Sequence, residues 1–179
     1  MSSILVANSN EDSAKKIAAV LRSGGLNVSG VCSAGSQVIN FTNRHYQGGV
    51  VVCSEKLKDM PAVGLPKTVS QNYDFVFILR SQLPPASDMA VCSLYMPLNR
   101  VELFSTVNML LDLSGYTSLS VKKMIASGTV NDKEVIESAK NLLITRNHLT
   151  EAQAHRFIQK KSMDNGKKMA ETALIIMNS

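Results

Sequence analysis

The chain has 179 residues, 45% of them hydrophobic and 18% charged, with a formal net charge of +5. That apolar fraction excludes a disordered chain, and the length admits one large domain or two small ones. No apolar run nears the roughly 18 residues of a membrane span, and Met1 to Ala7 runs straight into Asn8, Ser9, Asn10, Glu11 and Asp12, so a cytoplasmic protein without signal peptide or membrane contact is expected.

The first two thirds alternate short apolar runs with helical stretches. Ile4 to Ala7 reads as a strand, and Ser13 to Arg22 places Ile17, Ala18 and Leu21 at helical spacing before Gly24 and Gly25 stop it. Leu26 to Val31 is a second strand, Gly35 to Arg44 a second helix, and Val50 to Cys53 a third strand. Phe75 to Leu79 and Ala90 to Tyr95 are two more, followed by a helix from about Leu98 to Leu113. Strands of this length alternating with helices predict a parallel sheet covered on both faces. Lys58 to Gln71 and Gln82 to Asp88 are poor helices, broken by Pro61, Pro66, Pro84 and Pro85.

Residues 114–132 have a different texture, with weak helix formers around the more helical Val121 to Ala126, and are the expected linker. Three helical segments follow. Glu134 to Arg146 carries a stripe of Val135, Ile136, Ala139, Leu142 and Leu143. Thr150 and Gln153 form a capping box that starts the next helix, which reaches Met163 and buries Ala154, Phe157 and Ile158. After Asp164, Asn165 and Gly166, Lys167 to Met177 is expected to bury Met169, Ala170, Ala173, Leu174 and Met177. Each helix is too short to stand alone in water, so the three are expected to share a small core.

Charge is unevenly spread. Lys and Arg stand nine against eight Asp and Glu in residues 1–112, two against one in 113–132, and eight against five in 133–179. The basic excess therefore gathers in the last 47 residues, as at a nucleic-acid site or on a plain solvated helix face. On the second of the three helices His155, Arg156, Gln159 and Lys160 form i, i+4 pairs opposite Phe157 and Ile158, and so present one polar patch. Cys32, Cys53 and Cys92 form no CxxC pair and have no histidine at zinc spacing, so buried free thiols are expected, without metal or cofactor. His45, His148 and His155 share no motif with a Cys or Ser nucleophile, so no enzyme is expected.

Residues 1–113 resemble the flavodoxin-like (CheY-like) receiver domain of response regulators, an α/β fold whose ligand site lies at the carboxyl ends of the strands. The resemblance implies an acidic pair after strand 1, an Asp ending strand 3, a hydroxyl after strand 4 and a Lys before a Pro after strand 5. Here Asn8 and Ser9 stand where the acidic pair belongs, Cys53 and Ser54 end strand 3, Ser81 supplies a hydroxyl, and Met96 precedes Pro97, itself a candidate cis proline by the same resemblance. Without the metal-binding carboxylates, nucleophile and Lys, aspartyl phosphorylation is not expected, and the domain is a pseudo-receiver used for protein contact. Asp12, Glu55 and Asp59 are the nearest carboxylates, expected in solvated loops and helix starts.

Residues 133–179 resemble the ANTAR family, the three-helix RNA-binding domains of transcription antitermination regulators. The motifs that carry the likeness are Ala139-Lys140, then Leu142, Leu143 and Arg146, Leu149-Thr150-Glu151, Ala154-His155-Arg156, and Met163-Asp164-Asn165-Gly166-Lys167-Lys168. Asn141, His155, Gln159 and Lys161 depart from the family pattern. The resemblance implies a homodimer that binds RNA hairpins in a nascent transcript and so prevents terminator formation. It points to Lys140, Arg146, His155, Arg156, Gln159, Lys160, Lys167 and Lys168 as RNA contacts, and to control through a sensor or inhibitor protein on the pseudo-receiver. The alternative is a DNA-binding response regulator that uses the same C-terminal helices.

Overall fold

The computed structural model describes residues 3–45, 47–69, 72–80, 92–113 and 131–178. The expected linker falls outside them except for Asn131 and Asp132, as do Ser81 and the stretch from Gln82 to Asp88. Five parallel strands, β1 (Ser3–Ala7), β2 (Val28–Cys32), β3 (Gly49–Ser54), β4 (Tyr73–Leu79) and β5 (Cys92–Tyr95), form one sheet in the order β2-β1-β3-β4-β5. The register sets Ala7 beside Cys53, Cys53 beside Phe77, and Leu79 beside Tyr95, so the strands end together at one rim.

The period of two along each strand divides the apolar residues between the faces. Ile4, Val6, Val50, Val52, Val76 and Ile78 face one layer, which holds α1 (Glu11–Ser23) and α4 (Arg100–Leu113). Leu5, Val51, Cys53, Phe75, Phe77 and Leu79 face the other, which holds α2 (Gly35–Arg44) and the one-turn α3 (Leu65–Thr68). The Gly24-Gly25 stop is a Schellman closure: Leu26 N–H donates to the Leu21 carbonyl, Gly25 N–H to that of Arg22, and Gly25 takes φ +84°. Between Pro61 and Pro66 only a 3-10 turn, Ala62–Gly64, and α3 form, in line with the prolines. The Met96–Pro97 peptide is cis.

Asp59 lies exposed in a loop, as expected, and has a partner as well. Its carboxylate accepts from Gly35 N–H at 2.5 Å and Ser36 N–H at 2.9 Å, so it caps α2 from a distant loop. These two backbone hydrogen bonds hold its pKa down at about 2.

The C-terminal helices are α5 (Asp132–Asn147), α6 (Glu151–Asp164) and α7 (Met169–Met177). Asn131 caps α5 through its side chain, so the helix begins inside the expected linker. Thr150 and Gln153 form the expected capping box, and Gly166, at φ +60°, closes α6 with Lys167 N–H donating to the Ser162 carbonyl. The last helix starts at Met169 rather than Lys167, and Lys168 is its N-cap. Its buried set also differs: Thr172, Ala173, Leu174, Ile175 and Ile176 are all buried, whereas Met177 is exposed. A helix buried in five consecutive positions is covered from more than one side. Two of those sides are α5 and α4.

The three helices share a core as expected, and that contact extends it into the sheet layer. Val135, Ala139, Leu143, Phe157, Ile158 and Ile176 belong to the same apolar cluster as Leu103, Leu110 and the sheet. The three helices are therefore docked on the layer that carries α1 and α4.

Candidate functional site

Two regions hold the residues singled out by sequence. The first is the rim at the carboxyl ends of the strands, where a cavity of about 730 Å³ opens. The structure brings Asn8, Ser9, Ser54 and Met96 together on its wall. Cys53 does not join them, because the alternation along β3 turns its side chain into the opposite layer, where it is fully buried and its thiol pKa is pushed up by burial. Ser81 lies outside the described residues. Sequence reasoning missed Lys16, Lys56 and Arg80, which also line the cavity. Lys56 and Arg80 each stand just past a strand that was legible in sequence, so their place at the rim was within reach of that pattern.

The second region is α6. Its capping box fixes the start of the helix, and burial of Ala154, Phe157 and Ile158 fixes its rotation. His155, Arg156, Gln159 and Lys160 consequently all face solvent on one stripe. Arg156 and Lys160 form no ion pair among the described residues. Lys167, half-buried, and Lys168, exposed, follow the turn directly after this helix.

Lys140 and Arg146 are placed apart from that stripe. Lys140 is held by Glu137 at 2.7 Å and Glu151 at 3.2 Å, which pins α5 to the first turn of α6. Arg146 points into the seam between the C-terminal helices and α4, where its Nη2 donates to the Met109 sulfur at 3.0 Å. Burial lowers its guanidinium pKa from the ordinary value. Three more polar links cross the seam. Asn147 donates to Thr106 Oγ1 at 3.1 Å, Asn165 donates to the Leu113 carbonyl, and Lys161 pairs with Asp74. The His148 ring, on a residue with φ +56°, meets Tyr95 edge-on at 4.5 Å between centroids. Among the described residues, Arg146 Nε, Asn147 Oδ1 and Thr172 Oγ1 are buried with no hydrogen-bond partner.

The parallel sheet of this order, with helices on both faces, is a receiver fold, and a helical module follows it. Residues 126–176 match the ANTAR domain family, and the chain carries an ANTAR domain behind that receiver-like domain. Among solved structures, the receiver domain of the response regulator NarL from Mycobacterium tuberculosis is similar at 17% identity and a TM-score of 0.53, covering 63% of this chain and 95% of that one. The response regulator StyR matches over 99% of this chain and 98% of its own, at 14% identity and a TM-score of 0.56. A CheX–CheY complex with BeF3 and Mg from Borrelia burgdorferi matches at 13% identity, a TM-score of 0.52, 62% of this chain and 89% of that one. These likenesses show the fold. The curated proteins offer no match. Both domain types are regulatory, and among the described residues no helix is long and apolar enough to cross a membrane.

Proposed function

We propose that the protein is a cytoplasmic RNA-binding antiterminator, not an enzyme, that binds stem-loops in nascent mRNA and keeps a competing terminator from forming. The observation that carries this reading is the outer stripe of α6. It offers two unpaired cations and two side chains able to contact base edges, on a helix whose opposite side is locked in the core. RNA contact is assigned to His155, Arg156, Gln159 and Lys160, with Lys167 and Lys168 beside them. Arg146 would take part only if the seam opened, and Lys140 only if it left Glu137 and Glu151. We take residues 1–113 as the pseudo-receiver, 114–132 as the linker and 133–179 as the RNA-binding unit.

Binding of two stem-loops by one antiterminator calls for a homodimer, since tethering two modules raises avidity through effective concentration. The test is a band shift of the full chain with a short hairpin RNA and with duplex DNA at one salt concentration, alongside light scattering of the RNA complex. A shift of the hairpin alone, with two chains per complex, is the expected result. A shift of duplex DNA alone would favour a DNA-binding regulator instead.

Control is assigned to a sensor or inhibitor protein on the pseudo-receiver rather than to aspartyl phosphate. Asn8, Ser9 and Ser54 supply no charge to hold Mg²⁺, and Met96 none to bind a phosphoryl oxygen. Incubation with acetyl phosphate and Mg²⁺ should leave the intact mass unchanged. A stable phosphate adduct would refute phosphorylation-independent control.

A further inference from the structure

The cavity at the strand ends has lost the acidic chemistry of a receiver and acquired the opposite sign. Lys16, Lys56 and Arg80 line it against a single carboxylate, Glu55. None of the three cations forms an ion pair among the described residues. Like charges converging on a concave site focus a positive potential into it, which repels a metal cation and attracts an anion. Asn8 uses its Oδ1 to accept from Asn10 N–H at 2.9 Å, which leaves its amide Nδ2 as a further donor on the same wall.

Beside the hydroxyls of Ser9, Ser13 and Ser54, the lining includes an apolar set: Ile17, Pro61, Ile78, Met96 and Leu98. Met96, 53% exposed, is part of that lining. A bare inorganic ion would leave that surface wet. A ligand with a hydrocarbon or aromatic body would cover it and gain the burial. The volume lies within the roughly 300–1,000 Å³ typical of small-molecule sites.

We infer that this cavity binds a small organic anion, its carboxylate or phosphate head on Lys16, Lys56 and Arg80 and its apolar body against Ile17, Ile78, Met96 and Leu98. The site is independent of the RNA reading, because none of its residues lies on the C-terminal helices. The experiment uses the full chain labelled with ¹³C-methyl methionine, titrated with anilinonaphthalene sulfonate as an aromatic anion and followed by its fluorescence and the methionine methyl signals. Met96→Leu assigns one signal.

Saturable binding should shift the Met96 signal, leave that of the exposed Met163 on α6 in place, and be displaced by octanoate but not by octanol. The Lys56→Gln, Arg80→Gln double variant, altered at exposed positions, should lose affinity by about tenfold or more at an unchanged melting temperature. An unmoved Met96 signal, equal displacement by octanol, or equal affinity of the double variant would overturn the proposal.

Discussion

Replacing Phe157 with Ala should destabilise the whole chain by about 3–5 kcal/mol, the cost of deleting a buried aromatic from a packed core. Phe157 is 4% exposed and neighbours Ile158, which is fully buried, in a cluster that runs through α5 and α7 to the sheet. Domains of ordinary stability hold only about 5–15 kcal/mol in total, so a large part of the margin would go. The expected readout is a fall of the melting temperature by roughly 10 °C or more, seen together by far-ultraviolet circular dichroism and by the environment of Tyr73 and Tyr95 in the sheet. A variant that loses only the C-terminal helical signal while the sheet melts at its old temperature would show that the two halves are not coupled.

The Arg156→Ala, Lys160→Ala double variant should keep its fold and lose RNA. Both side chains are exposed and touch none of the core, so the melting temperature should stay near wild type. Each lost charge-assisted contact is worth about tenfold in affinity, and two phosphate contacts fewer should lower the slope of log affinity against log salt by about 1.4. A Lys15→Ala, Arg44→Ala variant removes the same charge from exposed positions on α1 and α2 and should bind as wild type does. Equal affinity and an equal salt slope for the α6 variant would remove this stripe from the RNA surface.

Where one face of an element is buried, the sequence pattern located it closely. Helix α2 begins and ends at the residues its periodicity marks, Gly35 and Arg44, and the strands differ from their apolar runs by a residue or two. The stripe on α6 was equally legible, since a capping box and two adjacent buried residues determine which way every other side chain points. The seam was not. Arg146 and Lys161 have the look of solvated helix residues, because nothing local distinguishes a cation in water from one facing Met109 or Asp74. Burial of α7 on several sides was hidden for the same reason: a run of Ala, Leu and Ile shows that a helix is apolar without showing how many neighbours cover it. Lys56 and Arg80 could be placed at the rim from the strand ends, but they belong to no motif, and their convergence with Lys16 shows only once the strands are in register.

The seam also bears on how freely the two halves could be exchanged between proteins. A receiver fold with a helical unit behind it suggests interchangeable parts. Here the surface that receives Asn147, Arg146 and Asn165 is built from Thr106, Met109 and Leu113 of α4. A chimera that carried residues 131–178 behind an unrelated receiver would leave Leu174 and Ile176 facing a helix never shaped for them. Tyr95 of β5 and Asp74 of β4 meet the same helices through His148 and Lys161, so the fitted surface runs from α4 into the sheet and a cut on either side of α4 would divide it.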